Sequence, residues 1–345
     1  MTSSHTNNYP KVSILVLNFN GWEDTIECLK SIEAFDYPNF NVILIDNGSS
    51  NDSCEKLIPW MKDNLDSMRQ INIGNEKNIP VSDERFNHKD YFFIQSDFNH
   101  GFAIGNNIGI KFSESLGSDL CYLLNNDTVS QPDSITKLVD FLTKHEDHVA
   151  VTPQIRLFEP NDRIWNCGGE IYRFATRKYD YANEHISKVP QQGYKTISLI
   201  TGCAILFDYK RTGYLSERYF FGEEDFEMSL RLRKKKLKMA CVYDSIIWHK
   251  VGGSIKKDKK WPLGKVFIFY LSRFMDLKDY YSYPSWLFNV SVQTFYAFTM
   301  LLFRNKIGLS KSIHLFRSVF RGLRLYTDVD KELFYNAVFE EKFYK

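Results

Sequence analysis

Twice within the first fifty residues a short apolar run breaks off into a cluster of polar turn formers, and this repetition restricts the fold more than any other feature of the chain. Val12-Ser13-Ile14-Leu15-Val16-Leu17 is mostly apolar and ends at Asn18-Phe19-Asn20-Gly21. A near-continuous apolar run marks a strand covered on both faces, as in parallel sheets. Trp22 to Phe35 then places Ile26, Leu29 and Ile32 at helical spacing. Asn41-Val42-Ile43-Leu44-Ile45 repeats the run and ends at Asp46-Asn47-Gly48-Ser49-Ser50, with a second helix predicted from near Ser53. Strand, loop and helix in this order require right-handed crossovers, hence an α/β sheet that is mostly parallel. Ligands of such sheets sit at the carboxyl ends of the strands, where residues 18–21 and 46–50 fall.

The pattern continues with a strand at Tyr91-Phe92-Phe93-Ile94, the loop Asn99-His100-Gly101-Phe102-Ala103-Ile104-Gly105-Asn106-Asn107 and a helix starting close to Ala103. Leu120-Cys121-Tyr122-Leu123-Leu124 is a fourth strand, closed by Asn125-Asn126-Asp127. Residues 60–90 are polar and read as a surface excursion. From about residue 150 the texture changes toward antiparallel strands and loops, followed by a helix over 226–235 and a strand from Lys238 that ends in Ile246-Ile247-Trp248-His249-Lys250. Beyond residue 265 the chain is aromatic and helical. The resulting division is a flexible tail (1–10), a domain over 11–260 whose two halves are 11–130 and 131–260, and a helical region (261–345).

Composition narrows the classes. With 345 residues and 43% hydrophobic content the chain can bury one large core or two smaller ones. A net charge of +2 gives no global field, so nucleic acid is not an expected partner. The six cysteines are scattered without a CxxC pair and read as reduced thiols in a cytoplasmic protein. Residues 1–10 lack the charged-then-apolar pattern of a signal peptide. Aromatics at 16% suit sugar stacking or a membrane interface, and thick cores use the same residues.

The strand ends are rich in Asn and Asp and poor in glycine. Gly101 to Gly105 lacks the GxGxxG spacing of a dinucleotide fold, and no Walker A sequence is present. Asp127 offers a hard carboxylate oxygen suited to Mg²⁺ or Mn²⁺, although a strand ending in Asn-Asn-Asp is also a turn signal. Farther along, four acids crowd into Glu223-Glu224-Asp225-Phe226-Glu227 beside Phe220 and Phe221. Carboxylates packed together beside apolar residues repel and lose hydration, which raises pKa toward values useful for proton transfer. An acid-rich, solvated helix start is the plainer reading of the same residues.

The order of these segments, together with Thr201-Gly202-Cys203-Ala204 and Trp248-His249-Lys250, resembles the family 2 glycosyltransferases, most of all their rhamnosyltransferase-like branch, over residues 11–254. The resemblance implies a GT-A fold and an inverting transferase that moves a sugar from a UDP- or dTDP-linked donor to a hydroxyl of a saccharide or lipid-linked acceptor in cell-surface polysaccharide assembly. It implies that Asp46 contacts the donor base, that Asn18 and Asn20 line the nucleotide pocket, and that the loop carrying Asn99, Gly101 and Asn106 closes over the nucleotide. Asp127 matches the last acid of the family's DxD motif, with Asn125 where many members have Asp, and His249 falls near the diphosphate and the metal, Mg²⁺ or Mn²⁺. Asp225 matches the general base, with Glu224 beside it, and Glu223, Glu224 and Glu227 are left to set the local field or bind acceptor hydroxyls. Alternatives on the same fold are a non-catalytic nucleotide-sugar-binding protein and a processive synthase, and none of the six tryptophans lies in the QxxRW motif expected of the latter.

Two C-terminal segments complete the reading. Trp286 to Phe303 has no formal charge but is interrupted by Asn289, Ser291, Gln293 and Thr294, and is predicted to be a packed helix rather than a membrane span. Leu309 to Leu325 is amphipathic, with Lys311, His314, Arg317, Arg321 and Arg324 on one face. It is either a helix docked on the catalytic domain with its basic face in solvent, or a foot on the anionic inner face of the cell membrane.

Overall fold

A computed structural model describes residues 9–77, 79, 89–251 and 263–342. Most of the predicted tail and the 260/261 boundary lie outside them.

The first half runs β1 (Val12–Asn18), α1 (Trp22–Glu33), β2 (Phe40–Asn47), α2 (Ser53–Asn64), β3 (Met68–Gly74), β4 (Tyr91–Ser96), α3 (Phe102–Ser115) and β5 (Leu120–Asn125). β1 lies between β2 and β5, β4 joins β2, and every one of these pairings is parallel. Because successive side chains leave opposite faces of a strand, Val12, Ile14 and Val16 enter one core while Leu15 enters a second, and Val42 and Leu44 divide from Ile43 and Ile45 in the same way.

β3 corrects the expected excursion over 60–90. It pairs in parallel with β4 at the edge of the sheet, and of its residues only Ile73 is buried. Arg69, Gln70 and Asn72 interrupt any apolar run there, so the strand carries no hydrophobic signature.

The second half comprises β6 (Thr128–Ser130), α4 (Ser134–Lys144), β7 (His148–Leu157), β8 (Ile164–Asn166), β9 (Gly169–Ile171), β10 (Arg177–Tyr179), β11 (Tyr194–Ile197), β12 (Ala204–Phe207), α5 (Tyr209–Thr212), α6 (Glu224–Lys234) and β13 (Lys238–His249). β12 inserts antiparallel between β5 and β7. β13 then runs parallel to β7, so this half is mixed rather than antiparallel throughout. A register shift between Val242 and Ile246 lets β13 bend, and its end pairs with β6, placing His249 opposite Thr128.

Four helices follow: α7 (Leu263–Tyr280), α8 (Tyr283–Thr299), α9 (Leu309–Leu325) and α10 (Lys331–Val338). α7 packs Phe267, Leu271 and Phe274 with Leu315, Phe316 and Val319 of α9 in a third core, which also takes Phe226 and Leu230 of α6. Met228 and Leu232, on the other side of α6, belong to the sheet core. The acid-bearing helix is thus held between two cores. α9 is docked, with its basic residues outward. α8 packs by one face, where Asn289, Val290, Gln293 and Ala297 are buried, and its other face is exposed.

The loop before α3 meets the segment before α6 at one tight point. Phe102 N–H donates to Phe220 O (3.0 Å), and Gly101 holds φ of +83° with no space for a side chain, since a Cβ would fall 2.1 Å from that same oxygen. This backbone region is open to glycine alone, and a forced occupant costs about 1–3 kcal/mol. Gly101→Ala is expected to lower urea stability by at least about that amount, the steric clash adding to the backbone term. Unchanged stability would mean that the two segments separate without cost.

Candidate active site

The strand ends form a continuous amide and carboxylate network. Asn18, fully buried, donates from Nδ2 to Asp46 Oδ2 (2.7 Å) and accepts at Oδ1 from Gly21 N–H and Thr25 Oγ1. Asp46, also fully buried, accepts from Ser49 N–H (2.9 Å) and Ser49 Oγ (2.7 Å). Asn20 stays exposed with a positive φ of 60° and accepts from Ser50 N–H (2.8 Å), which ties the β1 loop to the β2 loop. Asn47 donates to Asn99 Oδ1 and to Gly101 O, fixing the third loop. Asn106 bonds back to Phe102 O within its own helix, and Asn107 spans to Leu215 and Glu217. Buried polar groups must find partners, so Asn and Asp at these strand ends shape one another's loops. Of the positions singled out in this region, Asn18, Asp46 and Asn106 are buried, Asn99 and Gly101 lie in the loop held by Asn47, and Asn20 is open.

β5 delivers Asn125, Asn126 and Asp127. Asn126 Nδ2 reaches Asn18 Oδ1 and Thr25 Oγ1, locking this strand end to the first. Asp127 Oδ1 lies 3.1 Å from His249 Nε2, because the β6–β13 pairing carries His249 there. Burial opposes charge on His249, but Cys203 and the Asp127 hydrogen bond outweigh it and push the imidazole up to about 10. His249 Nδ1 is buried without a partner, and the Trp165 ring meets the imidazole edge-on with centroids 4.5 Å apart.

The acids sit on the neighbouring turn. Gly222 and Glu223 both have positive φ, reversing the chain so that α6 begins at Glu224. Glu223 is buried and held by two cations, Arg273 Nε at 2.5 Å and Arg177 Nη1 at 3.2 Å. Glu227 is taken by Arg231 (3.1 Å) and by a short bond from Tyr280. Both acids are thus paired with arginines, an arrangement that fits the first of the two expected roles, setting the local field.

Glu224 is buried and accepts from Gly222 N–H (2.8 Å); desolvation, reinforced by Asp225 and Glu223, pushes its carboxyl up to about 8. Asp225 remains partly exposed, with its carboxyl raised by desolvation while Arg177 acts to lower it. Asp225 Oδ2 accepts from Gly202 N–H (3.4 Å), and the next residue, Cys203, accepts at its carbonyl from Asn125 N–H (2.8 Å). Asp225, residues 202–203, Asn125, Asp127 and His249 are consequently consecutive neighbours.

Several site residues were missed in the sequence. Arg177 and Tyr179 on β10 and Trp165 on β8 line the region between Asp225 and His249. They lie on three-residue strands too short to show periodicity. Arg273 had a signal, a lone arginine within the apolar run of α7. It is buried, its guanidinium stacks 3.4 Å from the Phe226 centroid, and it donates to Ala175 O.

Comparison with known proteins agrees with this architecture. The model of "Glycosyltransferase like family 2" matches residues 85–261, just over half of the chain, and that of "Glycosyl transferase family 2" matches residues 13–73. Similar solved structures include the mannosyltransferase PcManGT from Pyrobaculum calidifontis in complex with GDP-Man and Mn²⁺, at TM-score 0.51 and 12% identity, covering 90% of this chain and 75% of that one. GalNAc-T7 with UDP, GalNAc and Mn²⁺ gives TM-score 0.54 and 14% identity over 78% of this chain and 51% of that one. Residues 1–349 of TarS from S. aureus give 0.52 and 12% over 96% and 82%.

The fold is that of the GT-A glycosyltransferases. The chain belongs to glycosyltransferase family 2. In sequence it is 25% identical over 154 residues to the low-salt glycan biosynthesis hexosyltransferase Agl10 of Haloferax volcanii, a stretch that is 44% of this chain and 48% of the relative, so the match spans about half of that protein.

Two outcomes test the acidic turn. Arg273→Met leaves Glu223 buried with Arg177 alone, and loss of one partner of a buried pair should cost about 3 kcal/mol in urea denaturation. Adding Glu223→Gln should restore part of that loss, and additive losses in the double variant would remove the coupling. The second outcome concerns pH. Glu224 has a folded pKa of about 8 against an ordinary value of 4.5, so between these values the native state alone holds the proton. That stability is complete below 4.5 and is lost as pH rises through about 8. Glu224→Gln should flatten this decline, as read from melting temperature against pH.

Proposed function

We propose that this protein is an inverting glycosyltransferase that moves a hexosyl or rhamnosyl group from a UDP- or dTDP-linked donor to a hydroxyl of a saccharide or lipid-linked acceptor in cell-surface polysaccharide biosynthesis. The observation that carries the reading is the partly exposed Asp225 at the start of α6, joined through Gly202 to the strand end bearing Asp127 and His249. We assign the donor to residues 11–130, where Asn18, Asn20, Asp46, Asn99, Gly101, Asn106 and Asn125 shape its pocket, and the acceptor to 131–260.

In this mechanism Asp225 takes the proton of the acceptor hydroxyl. The acceptor oxygen bonds to the anomeric carbon, and the bond from that carbon to the diphosphate oxygen breaks on the opposite face. One base and one displacement invert the anomeric centre without a glycosyl-enzyme intermediate. A raised carboxyl at Asp225 favours proton capture, because a base is most effective when its pKa approaches the working pH, whereas Glu224, pushed up to about 8, keeps its own proton at neutral pH and stands beside the base as its neighbour.

Asp127 and His249 have the donor chemistry for Mg²⁺ or Mn²⁺ once the proton that His249 shares with Asp127 is displaced, and the orphaned Nδ1 of His249 marks a ring whose partners are incomplete. Among the described residues no group of three or more His, Cys, Asp or Glu side chains is suited to hold a metal, so donor diphosphate oxygens and water would have to complete the shell. When bound, the cation would supply charge stabilisation to the departing diphosphate. Cytoplasmic residence with peripheral attachment to the inner face of the cell membrane completes the proposal, supported by the basic face of α9.

Asp225→Asn should lower transfer by about 10²–10⁴-fold with donor binding nearly intact by calorimetry. Comparable turnover would take the base role away from Asp225. Chelation by EDTA should stop transfer until Mg²⁺ or Mn²⁺ is restored, with Asp127→Ala needing more cation; undiminished transfer in EDTA rejects the metal assignment.

A further inference from the structure

From Tyr280 to Phe303 no side chain carries a formal charge, yet α8 is docked by one face only. On that face Trp286 Nε1 donates to Phe274 O (3.0 Å), Gln293 Nε2 donates to Phe174 O (2.7 Å), and Val290 and Ala297 are buried. The other face presents Leu287, Phe288, Phe295, Tyr296 and, just past the helix, Phe303; Phe295 is 72% and Phe303 79% exposed. An apolar patch of this kind on a soluble domain marks an interaction surface.

Charge identifies what covers it. Between Tyr280 and Thr327 there is no Asp or Glu, while Arg304, Lys306, Lys311, Arg317, Arg321 and Arg324 all occur there and all are exposed. The two features adjoin. Phe298 of α8 meets Phe316 of α9 with centroids 6.4 Å apart. Leu309, Ile313, Phe316 and Phe320 follow the helical period along one stripe of α9, and all but Phe316 are exposed. The arginines occupy the next sector. On the far side of α8, Phe288 meets Phe174 at 5.6 Å beside the exposed Tyr172 and Arg173.

A second copy of this chain is a poor occupant, because a twofold contact would set like charges against one another. A membrane-spanning α8 would have to abandon the Gln293 and Trp286 bonds and carry Asn289 and Gln293 into hydrocarbon. A surface with phosphate groups above an apolar layer satisfies both the cations and the aromatic stripe.

We propose that this face rests on an anionic phospholipid bilayer, with the α8 aromatics at the boundary between headgroups and acyl chains and the cations of α9 and the preceding turn over lipid phosphates. The proposal rests on the peripheral location given above and deepens it by naming α8, rather than α9 alone, as the inserted element. It also orients the site. Phe174 adjoins Ala175, whose carbonyl accepts from Arg273, and Arg273 holds Glu223 two residues from Asp225. The acceptor end therefore lies next to the headgroups, where an acceptor with a lipid tail would present its sugar.

Co-sedimentation of the full chain with vesicles of phosphatidylcholine alone, or mixed with phosphatidylglycerol, tests the surface. The wild type should bind only the mixed vesicles. Phe295→Ser with Phe303→Ser, and separately Arg317→Glu with Arg321→Glu, should each weaken binding at least about tenfold. All four side chains are exposed, so both variants should keep the wild-type melting temperature. Equal binding by wild type and variants, no binding, or equal binding to neutral vesicles overturns the proposal. So does a solution dimer that Phe295→Ser with Phe303→Ser dissolves. Thermal shift with UDP- and dTDP-sugars, measured without vesicles, separates the readings: vesicle binding without a donor response keeps the surface and removes the transferase proposal, and the reverse result does the opposite.

Discussion

The buried pair between Arg273 and Glu223 is the contact on which the geometry of the site depends. Glu223 stands in a left-handed conformation that a side chain adopts only when its surroundings hold it there. Arg273 supplies that hold by pairing with its carboxylate, stacking on Phe226 and bonding to Ala175 O. The turn so fixed starts α6 at Glu224, and the first turn of α6 carries Asp225. The C-terminal helices are thereby joined to the acidic turn by one side chain as well as by the core beneath α6.

Opposite this ionic clamp, the strand ends rely on neutral amides. Asn18, Asn47 and Asn126 cross-link three strand ends and fill their own hydrogen-bonding capacity with neighbouring loops. An amide donates and accepts at once, so it can bridge two loops whose backbone groups are otherwise orphaned. Glycine-rich loops solve the same problem by letting backbone approach a phosphate; here the strand ends are rigidified by side chains instead. The two halves meet where Phe220 O takes the Phe102 N–H, so the loop before α3 and the acidic turn share a boundary.

The strands β1, β2, β4 and β5 were legible because both faces are buried, which demands uninterrupted apolar runs. β3 was not, since an edge strand buries little and tolerates Arg69, Gln70 and Asn72. The acidic cluster was legible as a cluster, but its members look alike in sequence. Only packing separates Glu223 and Glu227, neutralised by arginines, from the buried Glu224 and the partly open Asp225. In α8, Asn289 and Gln293 were legible as interruptions of an apolar run, but only packing shows that they mark the single face that touches protein.

The sequence by itself determined the parallel α/β order and the polar strand ends, because hydrophobic period and turn chemistry are local properties. It also determined the positive charge of α9, which carries no Asp or Glu. Tertiary structure decided which carboxylate stays open, which ones are paired with a cation, and which side of α8 is left bare. Those outcomes depend on residues far apart in the chain, such as Arg273 and Glu223 or Phe174 and Phe288, whose proximity no local pattern encodes.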